Sequence, residues 1–230
     1  MYEQLKSGNL LDFSQTVAKS LFERAVYPWE AFENLSQYIM ELGATLPSDK
    51  FDKIGEDIWI AKTATVAPSA YIHGPLIICD DTEVRHCAFI RGTSIVGERC
   101  VVGNSTELKG SILFNNVQVP HYNYIGDSIL GYKAHTGAGT ITSNLKSDRS
   151  LVTVSVDGDK FATYRKKFGA IIGDNTEVGC NSVLNPGTVL GRNTVVYPLS
   201  MVRGYVPENT IYKNAGEVCE KFPENHIINC

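Results

Sequence analysis

Two cations and one histidine near the middle of the chain are of the residue types needed for acid–base chemistry on a phosphorylated substrate. Arg91 and Lys109 are eighteen residues apart, and each directly follows an aliphatic residue of a repeating pattern. If the fold repeats every eighteen residues, their Cα atoms stack ~5 Å apart, and an anion between the two charges would offset their repulsion. His121 lies within PHYNYIGD, and a neutral imidazole can take a proton from a nucleophile near pH 7. The alternatives are solvated surface cations and a structural surface histidine.

Residues 137–144, with the sequence GAGTITSN, concentrate small side chains at one place. Glycines let a ligand approach the backbone, whose N–H groups can stabilise an oxyanion that forms during a reaction. A tight corner of the chain would need the same residue types. Both interpretations stay open from the sequence.

An aliphatic residue at every sixth position predicts the fold. Period six fits neither a helix nor an alternating strand, but it fits a triangular solenoid with three short strands per coil, in which each coil hydrogen-bonds to the next. A β-sandwich with accidental spacing is the alternative. The phase slips by one residue at Leu113 and again at Leu130, and a gap precedes Ile172. The repeating positions are Ile60, Val66, Ile72, Ile78, Val84, Ile90, Val96, Val102, Leu108, Leu113, Val119, Ile125, Leu130, Thr136, Ile172, Val178, Leu184, Leu190, Val196 and Val202.

Residues 145–170 interrupt the repeat and predict a β-hairpin extruded from one side of the solenoid. Val152–Val156 and Lys160–Tyr164 flank Asp157-Gly158, a dipeptide typical of two-residue hairpin turns. The segment is either a solvated hairpin or a clamp for the phosphates of a substrate or of CoA. Its cations are Lys146, Arg149, Lys160, Arg165, Lys166 and Lys167, against three aspartates.

The two ends of the chain lack the repeat and predict caps. Pro28 can start a helix that Gly43 ends, and an aromatic and aliphatic stripe between them follows helical spacing. An earlier helix is predicted over 13–24. We expect 1–50 to be a small helical cap over the first coil, 51–206 to be the β-helix, and 207–230 to cap the other end.

Composition narrows the class of protein. The chain has 230 residues, of which 43% are hydrophobic, and a net charge of −4, which argues against a nucleic-acid surface. Six cysteines form no CxxC pair, no secretory signal precedes the repeats, and no run of about 18 apolar residues exists. We expect a cytoplasmic protein with neither nucleic-acid partner nor membrane insertion.

Two segments carry a resemblance to a known family over roughly residues 55–205. Residues 102–144 resemble the C-terminal acetyltransferase domain of the bifunctional N-acetylglucosamine-1-phosphate uridyltransferase/glucosamine-1-phosphate acetyltransferases, with PHYNYIGD and GAGTITSN as the specific part. Residues 160–193 are more similar to archaeal sugar-1-phosphate nucleotidylyltransferases with the same C-terminal β-helix. The resemblance implies an all-β solenoid that is a left-handed parallel β-helix, parallel homotrimers with active sites between subunits, and acetyl-CoA as co-substrate without a metal.

The same resemblance implies a role for each matching position. His121 corresponds to the catalytic base, Tyr124 and Asn144 to residues that hold and orient the amino sugar, Arg91 and Lys109 to the phosphate-binding cations, and Ala138 to the backbone position that faces the thioester. Three positions depart from the family pattern. His135 replaces a sugar-contacting asparagine, Cys180 replaces a serine of the CoA pocket, and Pro198 replaces a small alanine near the pantetheine path.

Three hypotheses follow for the function. The first is N-acetyl transfer to an amino-sugar 1-phosphate or a nucleotide-linked amino sugar, without pyrophosphorylase activity because 1–50 contains no Gly-rich nucleotide loop. The second is a zinc γ-carbonic anhydrase, which needs three histidines. His86 and His121 would lie two coils apart, about 10 Å, but a third histidine is missing shortly after His121. The third is a non-catalytic sugar-phosphate-binding or scaffold relative.

Overall fold

The computed structural model describes residues 2–213 and 217–221. Three parallel sheets form the three sides of a solenoid of about nine turns, which fits a left-handed β-helix and confirms the predicted fold class. Successive strands alternate between the sheets, and each strand pairs with strands of the neighbouring coils. Antiparallel pairing occurs only at β1–β2, β17–β18 and β26–β27 among the described strands.

The strands are numbered in chain order. Sheet A contains β1 (Phe51–Lys53), β2 (Ile58–Ala61), β5 (Leu76–Ile78), β8 (Ser94–Val96), β11 (Ile112–Leu113), β14 (Ile129–Leu130), β19 (Ala170–Ile172), β22 (Thr188–Leu190) and β25 (Tyr205–Val206). Sheet B contains β3 (Thr65–Val66), β6 (Glu83–Val84), β9 (Val101–Asn104), β12 (Gln118–His121), β15 (His135–Thr136), β20 (Glu177–Val178), β23 (Val195–Val196), β26 (Thr210–Tyr212) and β27 (Val218–Glu220). Sheet C contains β4 (Tyr71–His73), β7 (Phe89–Arg91), β10 (Glu107–Lys109), β13 (Tyr124–Gly126), β16 (Ile141–Thr142), β21 (Val183–Leu184) and β24 (Met201–Val202). The hairpin is β17 (Thr153–Val156) and β18 (Asp159–Ala162).

The repeating positions point into the solenoid and form its core. Val102 and Val119 are register partners on adjacent coils, and both are fully buried. Only Val66 and Ile72, in the first coil, are half-buried. The two phase slips do not disturb the pairing of the coils, because Leu113 and Leu130, the first repeat positions after each slip, are register partners. One inward-facing position of the repeat lies within the gap in the pattern. It is the fully buried Thr142, which the search for aliphatic residues missed because threonine is polar.

The N-terminal segment lies along the outer side of sheet A, which corrects its expected position over the first coil. It contains three helices, α1 (Ser7–Leu10), α2 (Lys19–Phe22) and α3 (Leu35–Thr45), and short 3-10 turns at Glu3–Leu5, Phe13–Gln15 and Pro28–Phe32. It contacts coils far apart along the axis, since Gly43 lies against Trp59 while the Arg192 side chain donates to the Gly8 carbonyl. On this face α3 of the N-terminal segment contacts β5 and β8, and β17 of the hairpin contacts β25. The outward side chains of sheet A are fully buried: Ile77, Ile95, Ile112, Ile129, Ile171 and Val189.

The helices of this segment differ from the predicted ones. The helix expected over 13–24 is only a 3-10 turn and the four-residue α2, because the backbone bonds to the solenoid: the Gln15 carbonyl accepts from the Asn115 N–H at 2.9 Å. The helix expected from Pro28 is interrupted before α3 begins. Gly43 does not end α3 but lets it approach the Trp59 ring, since a Cβ at this position would overlap atoms of the ring.

The extruded hairpin is confirmed. Asp157 and Gly158 have φ of 51° and 91°, which suits the two-residue turn that this dipeptide favours. Phe161 of β18 packs on Tyr27 and Trp29 with ring centroids 4.7 and 5.7 Å away, and the Tyr2 hydroxyl donates to Asp159 at 2.8 Å. The hairpin is therefore docked on the N-terminal segment.

At the C-terminal end, β27 pairs antiparallel with β26 and covers the last coil of sheet B. Residues 214–216 and 222–230 of the expected cap lie outside the described residues. The boundaries at 50, 145–170 and 206 stay predictions. No helix in the described ranges has the length and apolar character needed to cross a membrane.

Candidate active site

Arg91 and Lys109 lie on adjacent strands of sheet C, as the eighteen-residue spacing predicts. Their strands are parallel and pair Leu108 with Ile90, so the two cations follow register partners. Each has a carboxylate partner: Arg91 Nε donates to Glu107 Oε1 at 2.6 Å, and Lys109 Nζ donates to Asp127 at 2.8 and 3.0 Å. The chain itself offsets their repulsion, so a bound anion is not needed to explain their closeness.

Asp127 also connects Lys109 to two of the predicted sugar-binding residues. The Asn144 side-chain amide donates to an Asp127 carboxylate oxygen and, at 3.2 Å, to the Tyr124 hydroxyl. Burial raises the pKa of Tyr124, and the carboxylates of Glu107 and Asp127 raise it further. The hydroxyl therefore stays protonated at neutral pH and can donate to a ligand. The structure thus brings Lys109, Tyr124 and Asn144 together around Asp127.

A cavity of about 210 Å³ lies where sheet C passes into sheet A, at the Arg91 and Lys109 end of this group. The solenoid contributes one wall, and the N-terminal segment contributes another through Phe32 and Leu35. Arg165, from the stretch that returns from the hairpin, also lines it. We call this cavity the cation cleft; its charged lining residues are Arg91, Lys109, Asp127 and Arg165.

Four other predicted site residues lie on successive coils at the opposite edge of sheet C, where sheet B passes into it. The backbone ladder connects them: the Gly139 N–H donates to the His121 carbonyl at 3.0 Å, Asn181 to Ala138 at 2.8 Å, and Leu199 to Cys180 at 2.9 Å. At ~4.8 Å per coil, this corner column extends ~14 Å. From one end to the other, it consists of His121, Ala138, Cys180 and Pro198.

His121 ends β12 and is exposed, so its imidazole points away from the packed interior. Its backbone N–H donates to the Asn123 side chain at 3.1 Å, and the imidazole has no hydrogen-bond partner within the described ranges. The half-buried Ala138 accepts a bond at its carbonyl, while its N–H makes none to the described residues. The His121 imidazole and an unused backbone N–H thus lie one coil apart.

β13, only three residues long, separates the corner column from the cation cleft. A strand of that length spans ~10 Å. The corner column and the cation cleft therefore lie at the two ends of a short strand. Tyr124, at the start of β13, lies between the two edges.

His135 is not brought to this surface. It lies at the start of β15 on sheet B, in register with Gln118, and its Nδ1 is 2.6 Å from Glu177 Oε2. Within one chain it is separated from the sheet-C group by the corner. Among the described residues of a single chain, no three histidine, cysteine or acidic side chains are grouped as a metal site would require.

Sequence reasoning missed the two carboxylates of the site. Asp127 is eighteen residues after Lys109, and Glu107 is sixteen after Arg91, so the coil period could have placed each beside its cation. Arg165 was one of six cations in the hairpin segment, and nothing in the sequence distinguishes it from the other five.

Comparison with known proteins agrees with the fold. The family model described as the GMPPB C-terminal domain matches residues 72–164, and the bacterial transferase hexapeptide model, with six repeats, matches residues 169–204. The second model identifies hexapeptide repeats of the kind found in bacterial transferases. The repeats resemble those of the GlmU type.

Similar proteins include several bifunctional archaeal ones. The "Bifunctional protein GlmU" of Methanococcus vannielii is 39% identical over 58% of this chain and 32% of its own length. That of Methanococcus maripaludis strain S2 is 32% identical over 81% of this chain and 46% of its own. A Sulfurisphaera tokodaii "Bifunctional sugar-1-phosphate nucleotidylyltransferase/acetyltransferase" is 32% identical over 70% and 40%. The chain thus spans less than half the length of these relatives.

Among solved structures, a point mutant of AntD, an N-acyltransferase from Bacillus cereus, is 17% identical and gives a TM-score of 0.38, covering 76% of this chain and 87% of that chain.

Proposed function

We propose that this hexapeptide-repeat chain transfers an acetyl group from acetyl-CoA to the amine of an amino-sugar 1-phosphate or a nucleotide-linked amino sugar. The observation that carries the proposal is the stacking of the corner column beside the sheet-C group. The proposal is supported by the His121 imidazole, the unused Ala138 N–H and the cation cleft, which lie along sheet C and its two edges. The similar archaeal proteins support the reaction class.

The phosphate of the substrate would lie in the cation cleft, near Arg91 and Lys109. Binding there fixes one end of the sugar, and Tyr124 and Asn144 would orient the ring by hydrogen bonds. Holding the amine at a fixed angle to the acyl carbon turns a two-molecule encounter into one oriented step. The distance across β13 requires the substrate to extend toward His121.

Acetyl-CoA supplies the activated acyl group. The amine nitrogen attacks the thioester carbonyl carbon, the C–N bond forms, and the C–S bond breaks to release the CoA thiol. His121 accepts the amine proton and returns a proton to the leaving sulfur. The Ala138 N–H would donate to the oxyanion of the tetrahedral intermediate. The pantetheine arm would follow the corner past Cys180 and Pro198.

The family resemblance implies a homotrimer with sites between subunits, and we propose the same assembly here. Exposed apolar side chains on sheet C support it: Tyr71, Phe89, Ile141 and Met201 occupy equivalent register positions, with 37–60% of each exposed. An assembly of this kind is also needed if His135 is to reach the substrate. Sedimentation velocity tests it directly.

The test is a His121→Ala variant in a thiol-release assay with acetyl-CoA and a panel of amino-sugar 1-phosphates. We expect kcat/KM to fall by about 10²–10⁴-fold, the usual contribution of a general base. Thermal stability should stay unchanged because the side chain is exposed. His86→Ala, at the equivalent corner position on an earlier coil, is the matched control. Near-full activity of His121→Ala would overturn the assignment.

A UTP-dependent pyrophosphate-release assay tests the expected lack of nucleotidylyltransferase activity.

One observation favours the alternative of a non-catalytic sugar-phosphate-binding relative. No described side chain orients the His121 imidazole, whereas a general base is usually held in one tautomer by a partner. Binding of a sugar phosphate by the wild type without any CoA-dependent turnover across the panel would establish this alternative.

A further inference from the structure

A second cavity, of about 520 Å³, lies between the N-terminal segment and the hairpin. The wall from the N-terminal segment includes Tyr27, Trp29 and Glu33, and the wall from the hairpin includes Phe161 and Tyr164. We call this cavity the aromatic cleft. Its volume lies within the range of ~300–1,000 Å³ that is usual for small-molecule sites. Both walls lie outside the coils, so the solenoid alone does not form it.

The aromatic cleft adjoins the cation cleft. Arg165 lines both cavities, and Phe32 of the cation cleft is followed directly by Glu33 of the aromatic cleft. The proposed sugar extends from the cation cleft toward His121, so a substituent on its phosphate that points the other way would extend into the aromatic cleft. The two cavities can therefore hold two parts of one molecule.

The inner wall of the aromatic cleft contains packed rings and an unused hydrogen-bond donor. Tyr27 and Trp29 stack in parallel with their ring centroids 5.1 Å apart, and Phe161 packs on both. Only 2% of Trp29 is exposed, but its indole N–H makes no hydrogen bond with the described part of the chain. A buried indole N–H usually has a partner. An acceptor on a ligand in this cavity would supply it.

Tyr164 adds a ring that remains open to solvent. It is 84% exposed, and its φ of 57° is uncommon for a bulky side chain. An exposed aromatic ring can stack on any nucleobase, because every base has a flat π-face. Tyr164 can therefore stack on a planar group that enters the aromatic cleft.

Two carboxylates of the aromatic cleft suit a ligand with hydroxyl groups. Glu33 is exposed and makes no hydrogen bond or ion pair to any described residue. Glu30 is also exposed and accepts one bond, from the Tyr27 N–H at 3.2 Å. A carboxylate can accept hydrogen bonds from the hydroxyls of a ribose. It repels phosphate, so the phosphates of a nucleotide would stay in the cation cleft.

We propose that the aromatic cleft binds the nucleoside of a nucleotide-linked amino sugar whose phosphates occupy the cation cleft. The base stacks on Tyr164 and accepts a hydrogen bond from the Trp29 N–H, and the ribose hydroxyls donate to Glu33. The inference rests on the proposed function and narrows its substrate to the nucleotide-linked sugar, in preference to the free sugar 1-phosphate. It also gives the docking of the hairpin on the N-terminal segment a purpose, since the two walls of the site meet there.

The experiment is isothermal titration calorimetry of the full chain with UDP, dTDP, GDP, ADP and pyrophosphate. We expect at least one nucleoside diphosphate to bind at least ~10-fold more tightly than pyrophosphate, because stacking adds to the phosphate contacts. Tyr164→Ala should weaken that nucleotide about tenfold and leave pyrophosphate within about twofold of wild type.

Two further variants test the polar contacts. Glu33→Gln and Trp29→Phe should each weaken the same nucleotide several-fold, since each removes one hydrogen-bonding group. Glu56→Gln makes the same charge change at another exposed position and should stay within about twofold of wild type. Circular dichroism and thermal midpoints establish that the variants fold.

Three results would overturn the proposal: no nucleoside diphosphate that binds more tightly than pyrophosphate, unchanged nucleotide affinity in Tyr164→Ala, or an equal loss in Glu33→Gln and Glu56→Gln. Failure of the acetyltransferase function is distinguishable. In that case nucleotide binding would still depend on Tyr164 and Glu33, although no acetyl transfer would occur. Acetyl transfer to glucosamine 1-phosphate by a chain that binds no nucleotide would reject this inference and leave the proposed function in place.

Discussion

The Lys109 ammonium contacts both carboxylate oxygens of Asp127, at 2.8 and 3.0 Å, and the two side chains are only 21% and 18% exposed. Lys109, which the family resemblance assigns to phosphate binding, thus already has Asp127 as a counter-ion within the chain. A phosphate that binds Lys109 must therefore compete with Asp127 or share the ammonium with it. The proposed affinity for phosphate would therefore depend on that competition as much as on the number of cations.

Asp127→Asn should change stability and ligand affinity in opposite directions. Loss of the carboxylate leaves Lys109 partly buried without its partner, and we expect the free energy of unfolding to fall by about 1–2 kcal/mol. Phosphate should bind more tightly, because the competing charge is gone. Chemical denaturation and calorimetry measure the two effects. Weaker phosphate binding in this variant would show that Asp127 supports the anion site instead of competing for it.

Gly43→Ala should destabilise the protein although alanine favours helix. The new Cβ would overlap the Trp59 ring, and overpacking of this kind costs about 1–3 kcal/mol, more than the ~1 kcal/mol that alanine contributes in a helix. Gly8→Ala in α1 is the control, since no atom lies within 4 Å of its new Cβ. Thermal midpoints should fall for the first variant and stay or rise for the second. A rise in both would contradict the packing of α3 on sheet A.

Asp174 should make stability depend on pH between about 4 and 6. Burial raises its pKa to about 6, although the Tyr132 N–H and Arg192 oppose the shift. Arg192 Nε is 3.3 Å from the carboxylate but lacks hydrogen-bond geometry, which weakens its compensation. Between the unfolded pKa of about 3.9 and about 6, the folded state keeps a proton that the unfolded state has released. The free energy of unfolding therefore falls as pH rises through this range and stays lower above it.

Asp174→Asn removes this effect and provides the measurement. Relative to wild type, the variant should gain on the order of 2–3 kcal/mol between pH 4 and pH 7. Groups common to both proteins cancel in that difference. Denaturant unfolding at a series of pH values gives it. A difference that is constant over the range would show that Asp174 ionises normally in the folded protein.

Acetyl-CoA should protect Cys180 from alkylation and leave Cys87 reactive. Both thiols are exposed, but only Cys180 belongs to the corner column. Cys79 and Cys100 should stay unmodified in the folded protein, since both are buried and burial raises their pKa values, that of Cys100 to about 12. Iodoacetamide labelling followed by peptide mass spectrometry should show Cys180 slowed at least several-fold at saturating acetyl-CoA. Equal labelling of Cys87 and Cys180 with and without acetyl-CoA would contradict the proposed pantetheine path.

The sequence predicts the solenoid well because its period is a property of successive residues. The spacing places Arg91 beside Lys109 and His121 beside Asn104, and the structure pairs their strands accordingly. The hairpin could be predicted equally well, from its Asp-Gly turn. In each case, residues close together along the chain carry the information.

The sequence did not predict where the N-terminal segment and the hairpin lie along the solenoid axis. The stripe of apolar residues before residue 50 is compatible with an end cap or with a side cover, and only the fold shows that outward isoleucines such as Ile95 and Ile129 need covering. The selection of Arg165 from six cations depends on how the hairpin docks. These features arise from contacts between parts of the chain that share no repeat.

The N-terminal segment has a mechanical consequence for the whole molecule. A bare solenoid is a one-dimensional stack that can open coil by coil from its ends. Here the N-terminal segment contacts Trp59 near one end of the solenoid and Arg192 near the other. An end coil therefore cannot detach without straining contacts many coils away. We therefore expect amide protons along sheet A to exchange as one cooperative block, with slow exchange extending to the terminal coils.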